Sequence, residues 1–160
     1  MFTTEEKKLL QTALGEIGKR IKSDQPLNKD FSNEDLSVLY SLAYNLYLSG
    51  DYDQAKEIFH QLVLSKPLKQ KYWLGLGACL QLEKEYEQAL KAWGMASILD
   101  GYDPLPHFHA AECNFALNDY EQGWEALKAS KKLLTSNHHQ LSAKVAQLET
   151  YYKNEAEEGA

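Results

Sequence analysis

The chain has 160 residues, of which 44% are hydrophobic and 25% are charged, so it can bury a core and remain soluble. Its formal net charge of −6 argues against nucleic-acid binding, because phosphate neutralisation requires a surplus of Lys and Arg. No window approaches the roughly 18 apolar residues of a membrane span, and the amino-terminal stretch lacks the apolar centre of a signal peptide, so we expect neither membrane insertion nor secretion.

The first predicted element is an amphipathic helix over residues 4–22. Its apolar stripe contains Leu10, Leu14, Ile17 and Ile21. A linker containing Pro26 follows, and Ser32 is placed to cap the next helix. Because the linker separates this helix from the rest of the chain, its apolar face needs a partner. A second copy of the chain or the chain's own later helices could supply that partner.

A five-residue motif then occurs three times, as DYDQA (51–55), EYEQA (85–89) and DYEQG (119–123). The motif tyrosines, Tyr52, Tyr86 and Tyr120, recur at one constant interval. A period of about 34 residues is typical of tetratricopeptide repeats, in which two antiparallel helices form each unit. The frame predicts repeats over 36–69, 70–103 and 104–137, and each tyrosine is expected to begin the second helix of its repeat.

The tetratricopeptide pattern extends beyond the motif. The second repeat matches it best, with Trp73, Leu76, Gly77, Tyr86, Ala89, Trp93 and Ala96 at the expected positions. Trp93 is expected to be buried. Small residues allow close helix approach, and stacking is required because one repeat cannot bury its own apolar face. The predicted fold is all-α: a tetratricopeptide-repeat superhelix of three repeats, with an amino-terminal helix and linker (1–35), a capping helix (138–153) and a disordered tail (154–160).

The residues favour no catalytic, cofactor or metal site. Gly75-Leu-Gly77 begins like a dinucleotide fingerprint, but Leu80 replaces the third glycine and no strand precedes it, which favours helix packing. Cys79 and Cys113 occupy equivalent repeat positions without a CxxC pair, so they are predicted to be buried thiols. We therefore expect no enzyme activity.

Function in such an array is expected on the concave face, which the first helix of each repeat lines at positions two, five, nine, twelve and thirteen. These positions are Ser37, Tyr40, Tyr44, Tyr47 and Leu48, then Lys71, Leu74, Ala78, Gln81 and Leu82, then Leu105, Phe108, Glu112, Phe115 and Ala116. The result is an aromatic and aliphatic groove. The alternative is that the aromatic stripe belongs to the core, but Leu39, Leu42 and Ala43 already supply a separate core-facing stripe.

The runs LYSLAYNLYLSGDYDQAKEIF (39–59), YWLGLGACLQ (72–81) and FHAAECNFAL (108–117) resemble the class II chaperones of bacterial type III secretion. The resemblance extends to the whole layout of amino-terminal extension, three repeats and carboxy-terminal helix. Two departures concern the third repeat, where His107 replaces a large apolar residue and Gly123 the usual alanine.

That resemblance implies a cytoplasmic bacterial chaperone that holds hydrophobic translocator proteins before export. It would bind an extended segment near the translocator's amino terminus in the groove, with Tyr40, Tyr44 and Tyr47 in the first-repeat pockets and Phe108 and Phe115 in the third. Leu74, Ala78 and Glu112 are further expected contacts because of their groove positions in the repeat frame. It also implies a homodimer formed through Leu10, Leu14, Ile17 and Ile21. A different class of function, a general adaptor that links folded partners, stays open from the residues; an enzyme is a distant third.

Overall fold

The computed structural model describes Thr4, Lys8, Thr12 and residues 31–159. Within these residues the chain is helical, with no strand. Residues 31–159 form seven helices: α1 (Asn33–Ser49), α2 (Tyr52–Ser65), α3 (Gln70–Leu82), α4 (Tyr86–Leu99), α5 (Leu105–Ala116), α6 (Tyr120–Leu133) and α7 (His139–Glu158). Helix α1 pairs with α2 and α5 pairs with α6, as the first and third repeats predict. The all-α tetratricopeptide fold is confirmed.

Helix starts agree with the local sequence signals. Ser32 accepts a hydrogen bond from the Asp35 amide, and the Asp35 carboxylate accepts one from the Ser32 amide, which completes a capping box. The helices α2, α4 and α6 each begin at the tyrosine of the repeated motif. The motif is therefore a helix start, as its spacing predicted.

The turn inside each repeat uses one left-handed residue. Gly50, Lys84 and Asn118 have φ values of 89°, 63° and 61°, and they occupy the same position in successive repeats. Glycine adopts this conformation freely and asparagine tolerates it, whereas a lysine is strained by its Cβ atom. The repeat therefore fixes the backbone at this position more strictly than it fixes the residue type.

Contacts divide the chain into two compact units, Met1–Glu85 and Tyr86–Ala160. In the first unit, α2 packs against both α1 and α3. Ala55, Phe59 and Leu62 of α2 are almost completely buried. The α2 residue Lys56 also forms ion pairs with Glu83 and Glu85 just after α3, which fixes the end of that helix against α2.

The second unit packs α5 against α4 and α6, with α7 against α5 and α6. Trp93 is 2% exposed, so its predicted burial is confirmed. A separate cluster joins α5, α6 and α7 through Phe108, Ala111, Phe115, Leu127, Leu141 and Val145. Gly123 is buried beside it, and a Cβ atom at Gly123 would lie 2.6 Å from the Phe115 ring. The departure from alanine at Gly123 therefore makes room for the Phe115 ring.

The last helix is longer than the sequence predicted. It continues through Glu158, so the predicted boundary at residue 153 and the disordered tail from residue 154 need correction. The added segment contains good helix formers and no helix breaker before Gly159. Glu149 bridges Lys131 of α6 and Lys153 of α7, both at 2.8 Å, and so connects the helix to its neighbour.

Only three residues of the helix predicted over residues 4–22 are among those that the structure describes. Thr4, Lys8 and Thr12 are helical, but Leu10, Leu14, Ile17 and Ile21 lie outside the described residues, as does the linker. Among the helices that the structure does describe, none combines the length and the apolar character needed to cross a bilayer.

Candidate functional site

A row of three tyrosines follows one side of α1. The rings of Tyr40 and Tyr44 lie 6.4 Å apart and those of Tyr44 and Tyr47 lie 6.3 Å apart, both pairs stacked. Tyr44 is 48% exposed, and the other two are partly buried. On the core side of the same helix, Leu39 and Ala43 are 1% and 0% exposed. The helix therefore separates a packing face from an aromatic face, as the spacing predicted.

Neighbouring aromatic rings hold this row at both ends. Tyr40 meets Phe59 of α2 edge-on at 5.9 Å and lies 5.8 Å from Tyr72 of α3, while Tyr47 lies 5.7 Å from Tyr52. Such contacts limit ring motion, so the aromatic face is formed before any ligand arrives. Burial raises the pKa of Tyr40 and of Tyr47, with smaller effects from neighbouring groups. Their hydroxyls remain neutral at physiological pH and can donate or accept hydrogen bonds.

The helix α3 provides a second row beside the first. Lys71, Leu74 and Ala78 are spaced three and four residues apart, so they share one side of α3. The two rows meet where the Lys71 Nζ atom lies 4.4 Å from the centre of the Tyr40 ring. Leu74 and Ala78 are partly exposed. We call the six residues Tyr40, Tyr44, Tyr47, Lys71, Leu74 and Ala78 the tyrosine surface.

The third repeat differs from the prediction. Phe108 and Phe115 were expected on an open groove wall, but they are 3% and 2% exposed. The reason is α7, whose Tyr152 ring stacks on Phe115 at 3.9 Å. A carboxy-terminal helix has covered the apolar positions that the first two repeats leave more open. Both phenylalanines therefore belong to the core of the second unit.

Glu112, the other predicted contact of this repeat, is partly exposed. Its carboxylate lies 2.7 Å from the Nδ1 atom of His109, and the His109 ring stacks on Trp93 at 4.5 Å. It borders a cleft of about 420 Å³ between α5 and α7, lined by Phe108, His109, Glu112, Lys144, Gln147, Leu148 and Tyr151. Repeat spacing could not have found this cleft, because the position of α7 creates half of it.

The remaining reactive side chains have structural surroundings. Cys79 and Cys113 are both fully buried, and burial raises the pKa of each thiol to about 12. Each is therefore protonated at neutral pH, and the thiolate, which is the nucleophile and the metal ligand, is scarce. Among the residues that the structure describes, no three His, Cys, Asp or Glu side chains are grouped in a way that could hold a metal ion.

Gly75, which the sequence associated with helix packing rather than nucleotide binding, contacts the core directly. A Cβ atom at this position would lie 2.2 Å from the Phe59 ring. The glycine therefore allows α3 to approach α2 closely, directly behind the tyrosine surface. This explains why glycine stands at a helix position that is otherwise unfavourable for it.

Comparison with known proteins gives consistent results. A tetratricopeptide repeat model matches residues 38–63 and 71–103. Low calcium response locus protein H of Yersinia pestis is 31% identical over 121 residues, which cover 74% of this chain and 72% of the relative.

Two solved structures extend the match. The first is the Yersinia enterocolitica type III secretion translocator chaperone SycD, in an alternative dimer, which is 30% identical in sequence. Its TM-score is 0.76, and the match covers 81% of this chain and 99% of the SycD chain. The second is SycD in complex with a peptide of the translocator YopD, which is 29% identical with a TM-score of 0.74. This match covers 80% of this chain and 99% of the SycD chain. SycD is a type III secretion translocator chaperone.

Proposed function

The chain belongs to the family of type III secretion translocator chaperones, and from this premise we propose that it binds hydrophobic translocator proteins through an extended segment and keeps them soluble and unpaired before export. It acts by binding alone and catalyses no reaction. A translocator must later enter a membrane, so its apolar segments are an aggregation hazard beforehand, and covering one of them removes that hazard.

The observation that supports this proposal best is the tyrosine surface. Three aromatic side chains of α1 are partly exposed, while Leu36, Leu39 and Ala43 form the buried face of the same helix. Rigid aromatic rings are effective peptide anchors because they bury a large area and lose little conformational entropy. The neutral tyrosine hydroxyls can pair with the backbone of an extended segment, which would otherwise lose hydrogen bonds to water.

Within the site, Tyr44 is proposed as the main apolar anchor because it is the most exposed of the three. Tyr40 and Tyr47 are proposed to contact the segment on either side of Tyr44. Leu74 and Ala78 are proposed to contact it from the neighbouring row on α3. Glu112 and its cleft are proposed as a separate contact in the second unit. Phe108 and Phe115 are not proposed, since both are buried.

Two further features complete the proposal. Leu10, Leu14, Ile17 and Ile21 are proposed as homodimer contacts, and deletion of residues 1–22 is then expected to convert a dimer into a monomer in light scattering. The protein is proposed to act in the bacterial cytoplasm, where its client is made; fractionation of the native host tests this location.

The proposal is tested by co-expression with the membrane-spanning translocator encoded in the same secretion system. We expect the translocator to move from the insoluble to the soluble fraction and to co-purify with this chain. A variant with Tyr40, Tyr44 and Tyr47 all replaced by alanine is expected to lose this effect and to keep its helical circular dichroism. A translocator that stays insoluble with the unaltered chain would refute the proposed function.

A further inference from the structure

One side chain gives the tyrosine surface a charge. Ten positions are expected to line the groove in the first two repeats, and only Lys71 among them carries a formal charge at neutral pH. The other nine are Ser37, Tyr40, Tyr44, Tyr47, Leu48, Leu74, Ala78, Gln81 and Leu82. The whole chain has a net charge of −6, so a single cation in an aromatic surface is contrary to the overall balance.

Lys71 has no acidic partner in the part of the chain that the structure describes. Its ammonium group instead lies 4.4 Å from the centre of the Tyr40 ring and 5.6 Å from that of Tyr72. Lys56 in the same unit shows the contrast, since its ion pairs with Asp53, Glu83 and Glu85 satisfy its charge. A cation–π contact at an exposed site contributes only about 0.5–1 kcal/mol, so a carboxylate could compete for the Lys71 ammonium group.

We propose that Lys71 is a specificity-determining residue that selects translocator segments carrying an Asp or Glu within two residues of the apolar side chain that packs on Tyr44. This inference rests on the proposed function and adds the chemistry of the client. Alternate side chains of an extended segment point to the same side, about 6–7 Å apart. A carboxylate two residues from the anchor therefore comes within reach of the flexible lysine.

The surroundings favour such a pair. Aromatic rings exclude water from one side of the ammonium group, and an ion pair is stronger where the local dielectric constant is lower. A hydrogen bond to a charged partner also distinguishes a carboxylate from a neutral amide of the same shape. We therefore expect the pair to affect which segment is chosen, while the apolar anchor provides most of the affinity.

The test uses short overlapping peptides that cover the translocator captured in the co-expression experiment. Each bound peptide is also made with its Asp or Glu changed to the amide and, separately, to lysine. Binding to the unaltered chain is compared with binding to Lys71→Met, Lys71→Glu and the control Lys91→Glu, which makes the same charge change at an exposed position of α4. Circular dichroism verifies that each variant is folded.

We expect the unaltered chain and the Lys91→Glu control to prefer the acidic peptide over its amide copy by about tenfold. Lys71→Met should lose this preference, and Lys71→Glu should prefer the lysine copy. If Lys71→Glu retains the preference of the unaltered chain, the inference is overturned while the proposed function stands. If the unaltered chain binds none of the peptides, the inference about Lys71 fails, and so does the proposed function of binding an extended translocator segment.

Discussion

Replacing Gly75 with alanine should destabilise the first unit, although alanine is the better helix former. The new Cβ atom would lie 2.2, 2.4 and 2.6 Å from three atoms of the Phe59 ring, and ordinary contact begins at 3.4 Å. The ring would therefore have to move away from α3 to restore a normal contact distance. Phe59 is 1% exposed, so other side chains enclose its ring and would have to move with it.

The magnitude follows from two opposing effects. Overpacking a buried site costs about 1–3 kcal/mol, and the gain in helix propensity from glycine to alanine returns about 1 kcal/mol. The net loss is up to about 2 kcal/mol, which lowers the melting temperature by roughly 4–8 °C for a chain of this size. Because Phe59 also supports Tyr40, client affinity should fall as well.

Gly94→Ala provides the matched control. Gly94 lies inside α4, and nothing lies within 4 Å of the position of its Cβ atom. This variant should melt at the same temperature as the unaltered chain or up to a few degrees higher, because it keeps the propensity gain without the collision. Thermal melting followed by circular dichroism compares the two. If Gly75→Ala melted as high as Gly94→Ala, the close approach of α3 to α2 at Gly75 and Phe59 would be refuted.

Three other predictions concern the turns, the thiols and acid stability. Lys84→Gly should raise unfolding stability by about 0.5–1 kcal/mol by removing left-handed strain, and a loss in urea melts would contradict the turn geometry. Cys79 and Cys113 should react with an aromatic disulfide reagent only after denaturant is added, since their pKa is about 12; rapid labelling of the native chain would disprove their burial. Hydrogen bonds from Lys131 and Lys153 lower the pKa of Glu149, so its stabilisation holds above the ordinary glutamate pKa and disappears as pH falls through the lowered one. Glu149→Gln should therefore flatten the acid side of the stability profile, and an unchanged profile would show that the bridge contributes nothing.

Much of the fold could be predicted from the sequence because the repeat is periodic. A constant spacing placed Tyr52, Tyr86 and Tyr120 at helix starts, and the small residues beside them are buried. The separation of an aromatic face from a core face on α1 also followed from helical spacing alone. These features depend on the local sequence and on neighbouring helices whose positions follow from the repeat frame.

The third repeat could not be predicted in the same way. Its Phe108 and Phe115 occupy groove positions in the repeat frame, yet α7 covers them, and α7 lies outside the repeat frame that would fix its placement. The compensating Gly123 was visible as a departure from the pattern, but its cause is the Phe115 ring of the preceding helix. A repeat pattern gives the residue expected at each position separately. It therefore does not show that a small residue at Gly123 compensates for a large one at Phe115.

The central claim is that the tyrosine surface binds the client and does not hold the fold together. Isothermal titration of Tyr44→Ala with the captured translocator peptide tests this claim most directly. Loss of an aromatic anchor costs about 2 kcal/mol, so affinity should fall roughly thirtyfold, while the melting temperature stays nearly unchanged because the side chain is 48% exposed. A variant that binds the peptide as tightly as the unaltered chain, or one that unfolds, would contradict it.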